Sequence, residues 1–399
     1  MRVLIADKLP GEIRGALTKQ GFELRYESQA GADDLPGLVP GAHVLVVRST
    51  RVTAPTIDAG DKLQLIIRAG AGTNTIDVEH AAERGVYVAN CPGKNALAVA
   101  ELTMGLILSL DRQIPDNVIA LRQGRWDKAR FAKGRGLFGR TLGVLGYGRI
   151  GAAVAARARA FGMRVVAWDA RADLGDDVER CDTVREVCAR ADVITVHVPR
   201  TDDTFHLIGK AELEAMRQGA LLVHTSRGGV VDDAALAEVV AAGRIRAACD
   251  VHEDEPAGSQ GPWESRFQDV EGFYGTHHIG ASTAQAQEAV GQEVVRILRA
   301  FATEGRVLNA INVWERPPAA GQLLVRHVDR VGVLAGVLDA LRDADLNVQD
   351  MQNTIFRGGR AAVAKVTLSQ APDSALLETI AAGREDVLSL EWVPFGDAR

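Results

Sequence analysis

Gly146-Tyr147-Gly148-Arg149-Ile150-Gly151 is the spacing in this chain that speaks most directly of chemistry. A G-x-G-x-x-G hexapeptide makes a tight turn at its first glycine. Its second lets a pyrophosphate approach bare backbone, and its third packs a helix against a strand. Arg149 and Ile150 would open that helix, whose free N–H groups and positive dipole end attract phosphate. The flanks fit, since an apolar run at 141–145 precedes the motif and alanine-rich residues 152–160 follow it. A second apolar run, 165–168, ends in Asp169, close to the spacing of about 20 residues expected of a ribose-binding carboxylate. A carboxylate there binds both ribose hydroxyls and repels a 2′-phosphate, which selects NAD over NADP. Arg171 nearby keeps the phosphorylated cofactor open as the alternative. The cysteines at 91, 181, 188 and 249 form no C-x-x-C pair. They offer neither a disulfide framework nor zinc-ligand spacing, so no metal is expected.

Elements that could position such a site recur along the chain. Short apolar runs at 3–6, 44–47, 65–67 and 86–89 alternate with amphipathic stretches at 11–20 and 78–84, the rhythm of βαβ units in a parallel sheet. A helical stretch at 97–110 follows, then a polar connection around 123–126. The rhythm restarts at Leu142, with runs at 165–168, 193–198, 221–225 and 247–251. A helix at 284–303 and a Pro-containing linker at 314–321 close this part. The remainder reads strand, helix, strand, strand, helix, strand, which is the ferredoxin-like split βαβ order.

The 399 residues include 46 Lys+Arg against 52 Asp+Glu, a formal net charge of −6. That mildly acidic balance lacks the cationic footprint of sequence-independent nucleic-acid binding, so no nucleic-acid partner is expected. With 47% hydrophobic and 25% charged residues the composition is ordinary globular usage. The longest apolar stretch, 96–110, is broken by Glu101 and is too short for a membrane span. Asp7 and Lys8 follow the first apolar run too soon for a signal peptide. The expectation is a cytoplasmic protein with no membrane partner.

Residues 1–315 resemble the D-isomer-specific 2-hydroxyacid dehydrogenases. The resemblance rests on Val47-Arg48-Ser49-Thr50, Arg68-Ala69-Gly70-Ala71-Gly72-Thr73, Ala100-Glu101-Leu102-Thr103 and Asp111-Arg112-Gln113-Ile114-Pro115. It continues through Ser226-Arg227-Gly228-Gly229, Asp250-Val251, Glu255-Pro256 and His278-Ile279-Gly280-Ala281-Ser282-Thr283. It implies a catalytic trio of Arg227, Glu255 and His278. His278 would take the hydroxyl proton, Glu255 would hold its second ring nitrogen, and Arg227 would present a donor fork to the substrate carboxylate. Thr73, Val198, Ser226, Asp250 and Gly280 are implied around the cofactor. Arg48, Arg68, Ala71, Gly72, Asn74 and Asn95 are implied around the substrate. His277 stands where the family usually has Pro. His197, His224 and His252 read as core residues at strand or loop positions, and Arg130, Lys133 and Arg135 as a solvated basic stretch.

The function implied is NAD-dependent oxidation of D-3-phosphoglycerate, a small phosphorylated hydroxyacid, to 3-phosphohydroxypyruvate, the first step of L-serine biosynthesis. The alternatives are another D-2-hydroxyacid dehydrogenase, acting on glyoxylate, hydroxypyruvate or 2-oxoglutarate, or a non-catalytic NAD-sensing binding protein. Residues 322–399 resemble the ACT domain, through His327-Val328-Asp329-Arg330-Val331-Gly332 and Asp345-Leu346-Asn347-Val348. That resemblance implies L-serine as an effector at His327, Asp329 and Asn347, although Asp329 replaces the usual Asn and Val331 the usual Pro. The fold expected is α/β, with two Rossmann-like doubly wound parallel-sheet domains and a C-terminal ferredoxin-like α+β domain. Residues 1–96 with 284–313 would bind substrate, 97–283 NAD, and 322–399 would regulate. A homodimer or homotetramer is expected.

Overall fold

All four residues of the strand Val44–Val47 are buried, as a strand covered by helices on both faces requires. In the computed structural model it is the central strand of a five-stranded parallel sheet. The structure describes residues 1–170, 174, 178–256, 261–314, 318–382 and 385–395; Arg171 and Pro317 lie outside them. Across the sheet the order is Glu23–Tyr26, Arg2–Ile5, Val44–Val47, Leu65–Arg68 and Tyr87–Asn90. Helix Gly11–Lys19 packs on one face, and Ala54–Ala59 and Val78–Glu83 pack on the other. The connections that follow Arg2–Ile5 and Val44–Val47 therefore leave to opposite faces. A crevice opens beyond the carboxyl ends of these two neighbours, where open α/β sheets place their ligands. The edge strand Glu23–Tyr26 has no buried residue and no apolar run to signal it; pairing with Arg2–Ile5 alone makes it a strand.

Helix Ala96–Arg112 leads to a second parallel sheet of seven strands. Its order is Phe273–Gly275, Arg246–Cys249, Leu221–His224, Val193–Val196, Thr141–Leu145, Arg164–Trp168 and Glu179–Arg180. The strand order reverses between Thr141–Leu145 and Val193–Val196, so this sheet too has a switch point. Helix Ile114–Arg122 occupies residues next to the expected polar connection, entered through Pro115 in its first turn. Helix Ala284–Glu304 then returns to the first sheet, with Val294, Ile297 and Leu298 in the same core as Val3, Ile5 and Leu17. A Cβ at Gly291 would lie 2.5 Å from Ile13, so glycine is what lets this helix rest on Gly11–Lys19.

Asp111 ends the long crossing helix and forms a buried pair with Arg140, Oδ1 to Nη1 2.9 Å. The two side chains are 1% and 7% exposed. Asp111 also accepts the Gly136 N–H, and Arg140 also donates to the Asp192 carbonyl. Removing one partner leaves the other charge buried and uncompensated. Asp111→Ala is expected to destabilise the fold by about 3–5 kcal/mol, read as a lower denaturation midpoint; a change too small to resolve would refute the assignment.

The chain divides into two compact units, residues 1–312 and 313–399. The second is a four-stranded antiparallel sheet ordered Val348–Ile355, Ala361–Leu368, Gly321–Val328, Val387–Pro394. Helices Val333–Asp343 and Ser374–Ala382 cover one face, burying Val337, Leu341 and Ile380 against Leu323, Val325 and Val366. This is the split βαβ order read from the sequence. The first strand begins at Gly321, which the composition assigns to the linker.

Candidate active site

The glycines of the hexapeptide meet the requirements of their positions. Gly146 has φ +92°, and a Cβ there would sit 2.8 Å from the His197 backbone. A Cβ at Gly151 would lie 2.1 Å from the Gly146 carbonyl oxygen, so helix Arg149–Ala160 can start only where a side chain is missing. At Gly148 no heavy atom beyond its chain neighbours stands within 4 Å of the Cβ position among the described residues, which leaves backbone open to a ligand. Asp169 ends the neighbouring strand, and its Oδ2 accepts the Tyr147 N–H at 2.6 Å. Val198 follows the strand across the switch point and is buried. This cradle fits a dinucleotide: a bare turn for pyrophosphate, a helix N-terminus behind it, and a carboxylate on the next strand.

Arg227, Glu255 and His278 come from three loops at the carboxyl ends of successive strands, Leu221–His224, Arg246–Cys249 and Phe273–Gly275. His278 Nδ1 meets Glu255 Oε2 at 2.7 Å, while Glu255 Oε1 accepts the His252 N–H at 2.9 Å. Burial pushes the Glu255 carboxyl up, but the bonds from His278 and the His252 N–H outweigh it and hold the group below the usual carboxylate range. Glu255 is thus an anion fixed against one ring nitrogen, with Nε2 left for other work. His278 has φ +51°, an uncommon conformation for a residue with a side chain. Asp250 sustains it. Its carbonyl accepts the His278 N–H, and its carboxylate accepts the Ile279 and Gly280 N–H groups and the Thr276 hydroxyl. Expected beside the cofactor, Asp250 has its carboxylate engaged in shaping the histidine loop.

The histidines read as core include one with a visible task. His224 is buried, and its Nε2 bonds the Arg227 carbonyl at 2.9 Å while Ser226 Oγ lies 3.4 Å from Nδ1. Burial lowers its pKa to about 4, so the ring is neutral and anchors the arginine loop. His252 is buried among Trp263, Phe267 and Phe273. His197 bonds Thr195. Arg130 pairs with Glu271, and Arg135 with Asp192.

A cavity of about 300 Å³ gathers most of the remaining residues. Arg48, Arg68, Asn74 and Asn95 line it together with Arg227 and His278, joined by Lys8, Ser49 and Gln287. No Asp or Glu does so among the described residues. Ala71 and Gly72 lie on the adjoining loop, which Asn90 holds by donating to the Ala71 carbonyl. A Cβ at Gly72 would come 2.8 Å from Arg227 Nη2, so the loops that follow Leu65–Arg68 and Leu221–His224 meet here. Thr73 is half-buried on the same loop. Burial, with Arg227 and Arg48 close by, lowers the Arg68 pKa to about 10, and its buried Nε has no hydrogen-bond partner among the described residues. Three guanidinium groups converge where no described carboxylate lines the cavity, with Glu255 acting on Arg227 and Asp7 on Arg68 from beyond the lining, an arrangement that could hold an anion. His277 lines a different cavity, with Trp263 and Phe267, and does not line this one. Sequence reasoning missed Lys8 and Asn90, each a single polar residue at or just past a strand end with no motif around it; His224 is the buried core residue it was read as, and its bond to the Arg227 loop is what the sequence did not signal.

In the second unit His327 is 2% exposed, its Nδ1 donating to the Val328 carbonyl and its Nε2 facing Asn353 Oδ1 at 3.3 Å. Asp329 is half-buried and Asn347 exposed. Gly332, with φ +91°, caps the helix that follows, and Val331 is fully exposed. No group of three or more His, Cys, Asp or Glu among the described residues could hold a metal ion, and no helix among them is long and apolar enough to cross a membrane.

Comparison with known proteins adds independent findings. Residues 104–280 match the model of the D-isomer specific 2-hydroxyacid dehydrogenase NAD binding domain. A D-3-phosphoglycerate dehydrogenase of Methanocaldococcus jannaschii is 40% identical over 325 residues, covering 78% of this chain and 60% of that protein. A hydroxypyruvate reductase of Thermotoga maritima is 42% identical over 298 residues, covering 74% and 96% respectively. Among solved structures, the TT0316 protein from Thermus thermophilus aligns with a TM-score of 0.71 at 33% identity, covering 78% of this chain and 100% of that one. The chain spans 60% to 66% of the length of the first curated D-3-phosphoglycerate dehydrogenases it matches.

Proposed function

Because the chain belongs to the D-isomer-specific 2-hydroxyacid dehydrogenase family, we propose that it oxidises D-3-phosphoglycerate to 3-phosphohydroxypyruvate with NAD. The observation that carries this reading is the cavity, where Lys8, Arg48, Arg68 and Arg227 converge and no carboxylate joins them among the described residues. A phosphorylated three-carbon acid brings a carboxylate and a phosphate of about −1.5 to −2, which such a cluster balances. Glyoxylate brings one charge and would leave half-buried arginine uncompensated.

Gly146, Gly148, Arg149, Ile150, Gly151 and Asp169 would hold NAD, with Thr73, Val198, Ser226, Asp250 and Gly280 beside it, and the bound cofactor would supply the acceptor for the substrate hydride. The protein supplies the rest. Arg227 orients the substrate carboxylate and polarises the oxygen that becomes the carbonyl. His278 Nε2 removes the hydroxyl proton, and Glu255, already ionised, balances the imidazolium. Arg48 and Arg68 take the phosphate, with Asn74, Asn95 and the Ala71–Gly72 backbone as neutral donors.

The test is NADH consumption with 3-phosphohydroxypyruvate, hydroxypyruvate, glyoxylate and 2-oxoglutarate as competing substrates. Arg68→Met and Arg48→Met are each expected to lower kcat/KM for the phosphorylated acid by about 30-fold or more, with a far smaller loss on hydroxypyruvate. Turnover confined to unphosphorylated acids would favour the second reading, a hydroxypyruvate reductase like the Thermotoga maritima relative. NADH binding with no turnover on any of them would leave a sensor. The same assay with L-serine tests an effector site at His327, Asp329 and Asn347 in an ACT-type unit, a reading supported by the split βαβ order. Helix Ile114–Arg122 exposes Ile114, Val118, Ile119 and Leu121, an apolar face that fits contact with a second copy in a homodimer or homotetramer. Free, buried cysteines fit a cytoplasmic location.

A further inference from the structure

At the switch point of the first sheet, Ala6, Asp7 and Lys8 follow the strand Arg2–Ile5, and Arg48, Ser49 and Thr50 follow Val44–Val47. Ala6 N–H donates to the Val46 carbonyl, so the strands stay paired up to this point and then part. One oxygen of Asp7, Oδ2, accepts three successive backbone N–H groups: Arg48 at 2.7 Å, Ser49 at 3.0 Å and Thr50 at 3.0 Å. A carboxylate accepting three N–H bonds is a strong, charge-assisted clamp. The three N–H groups draw the charge of that oxygen toward backbone, although Asp7 still lies close enough to Arg68 to raise its pKa against the effect of burial. Lys8 projects from the next position, lines the cavity beside Arg48 and Arg68, and has no ion-pair partner among the described residues. Neither residue belongs to a catalytic or cofactor motif.

We propose that the Asp7-Lys8 dipeptide is the specificity element for the phosphorylated end of the substrate. Asp7 is a positioning residue that fixes the loop bearing Arg48, and Lys8 is a direct contact of the phosphate. This rests on the reading of the cavity as the site of a phosphorylated acid. Parallel strands put the two loops side by side, yet their helices leave to opposite faces, so the direction of Arg48 depends on contacts between the loops. The Thr50 hydroxyl reaches the Ala6 and Ala30 carbonyls only at 3.4 Å, whereas the Asp7 clamp takes three N–H groups at 2.7–3.0 Å. Lys8, a compact cation on a flexible stem, can follow the phosphate oxygens where the arginine forks are already committed in direction.

The test compares full-length wild type with Lys8→Met, Lys8→Arg and Asp7→Asn on 3-phosphohydroxypyruvate and hydroxypyruvate, with KM for NADH and the thermal midpoint recorded for each. For Lys8→Met, KM for the phosphorylated acid is expected to rise about tenfold more than KM for hydroxypyruvate. Most of that loss should return in Lys8→Arg. Asp7→Asn is expected to shift the same ratio in the same direction, with KM for NADH unaltered. An unchanged ratio in Lys8→Met would overturn the direct contact. Equal losses on both substrates with a lowered midpoint in Asp7→Asn would reduce Asp7 to a structural residue. A wild type with no preference for the phosphorylated acid would instead remove the underlying reading, and this inference with it.

Discussion

Replacing His278 with Asn is expected to lower kcat by about 10²–10⁴-fold, while NADH binding and the thermal midpoint stay near wild type. His278 is half-exposed and donates no side-chain bond that holds the fold; its ring contacts Glu255 and the cavity. Its backbone is what Asp250 grips, and Asn tolerates φ +51° better than most residues. The loss should therefore fall on proton transfer. The kcat of Glu255→Gln is expected to fall by a smaller factor, because an amide can still bond Nδ1 but cannot balance an imidazolium. Stopped-flow or steady-state NADH absorbance reads both. Wild-type kcat in His278→Asn would remove the histidine from the chemistry and turn attention to groups in the neighbouring cavity.

The second large effect is expected at a residue with no side chain. A Cβ at Gly228 would lie 2.0 Å from the His252 carbonyl oxygen and 2.6 Å from its carbonyl carbon. Both neighbours are backbone, so no rotamer change relieves the overlap. Gly228 is the point where the loop carrying Arg227 rests on the loop carrying Glu255. Gly228→Ala must push these loops apart, and a displacement near 1 Å at a catalytic constellation costs about 10²-fold in rate. The expected outcome is a kcat/KM reduced by about 10²-fold or more, with overpacking of roughly 1–3 kcal/mol visible as a lower midpoint. Near-normal kinetics would mean that the two loops are not held by this contact. Gly229, with φ +82°, supplies the conformational reason for the second glycine of the same motif.

The strands of the parallel sheets were legible where both faces are buried. Val44–Val47 reads as an unbroken apolar run, and Val193–Val196 and Leu221–His224 as runs with one polar residue each, because helices cover each side. The edge strands Glu23–Tyr26, Glu179–Arg180 and Phe273–Gly275 lack that pattern. They are strands because a neighbour offers hydrogen-bonding partners, a property of the sheet rather than of their own residues. Helix Ile114–Arg122 was obscured for a related reason: its apolar residues face outward, so its pattern does not point to a core.

The same distinction runs through the site. What the sequence determined by itself is the turn that could grip a dinucleotide and the identity of the chemical groups, since a turn at φ +92°, two excluded Cβ atoms and a following helix start are demands on six consecutive residues. Local geometry must be met by local composition, and so it is written there. The meeting of Arg48 and Arg68 with Arg227 and His278 was decided by tertiary structure alone. These residues belong to different sheets, and helices Ala96–Arg112 and Ala284–Glu304 carry the chain from one to the other and back. Nor does any spacing say that Asp7 clamps the Arg48 loop, because the two are joined only through strand pairing. Charge placed by long-range packing has no period to read; it becomes an anion site only when the carboxyl ends of both sheets face one cavity.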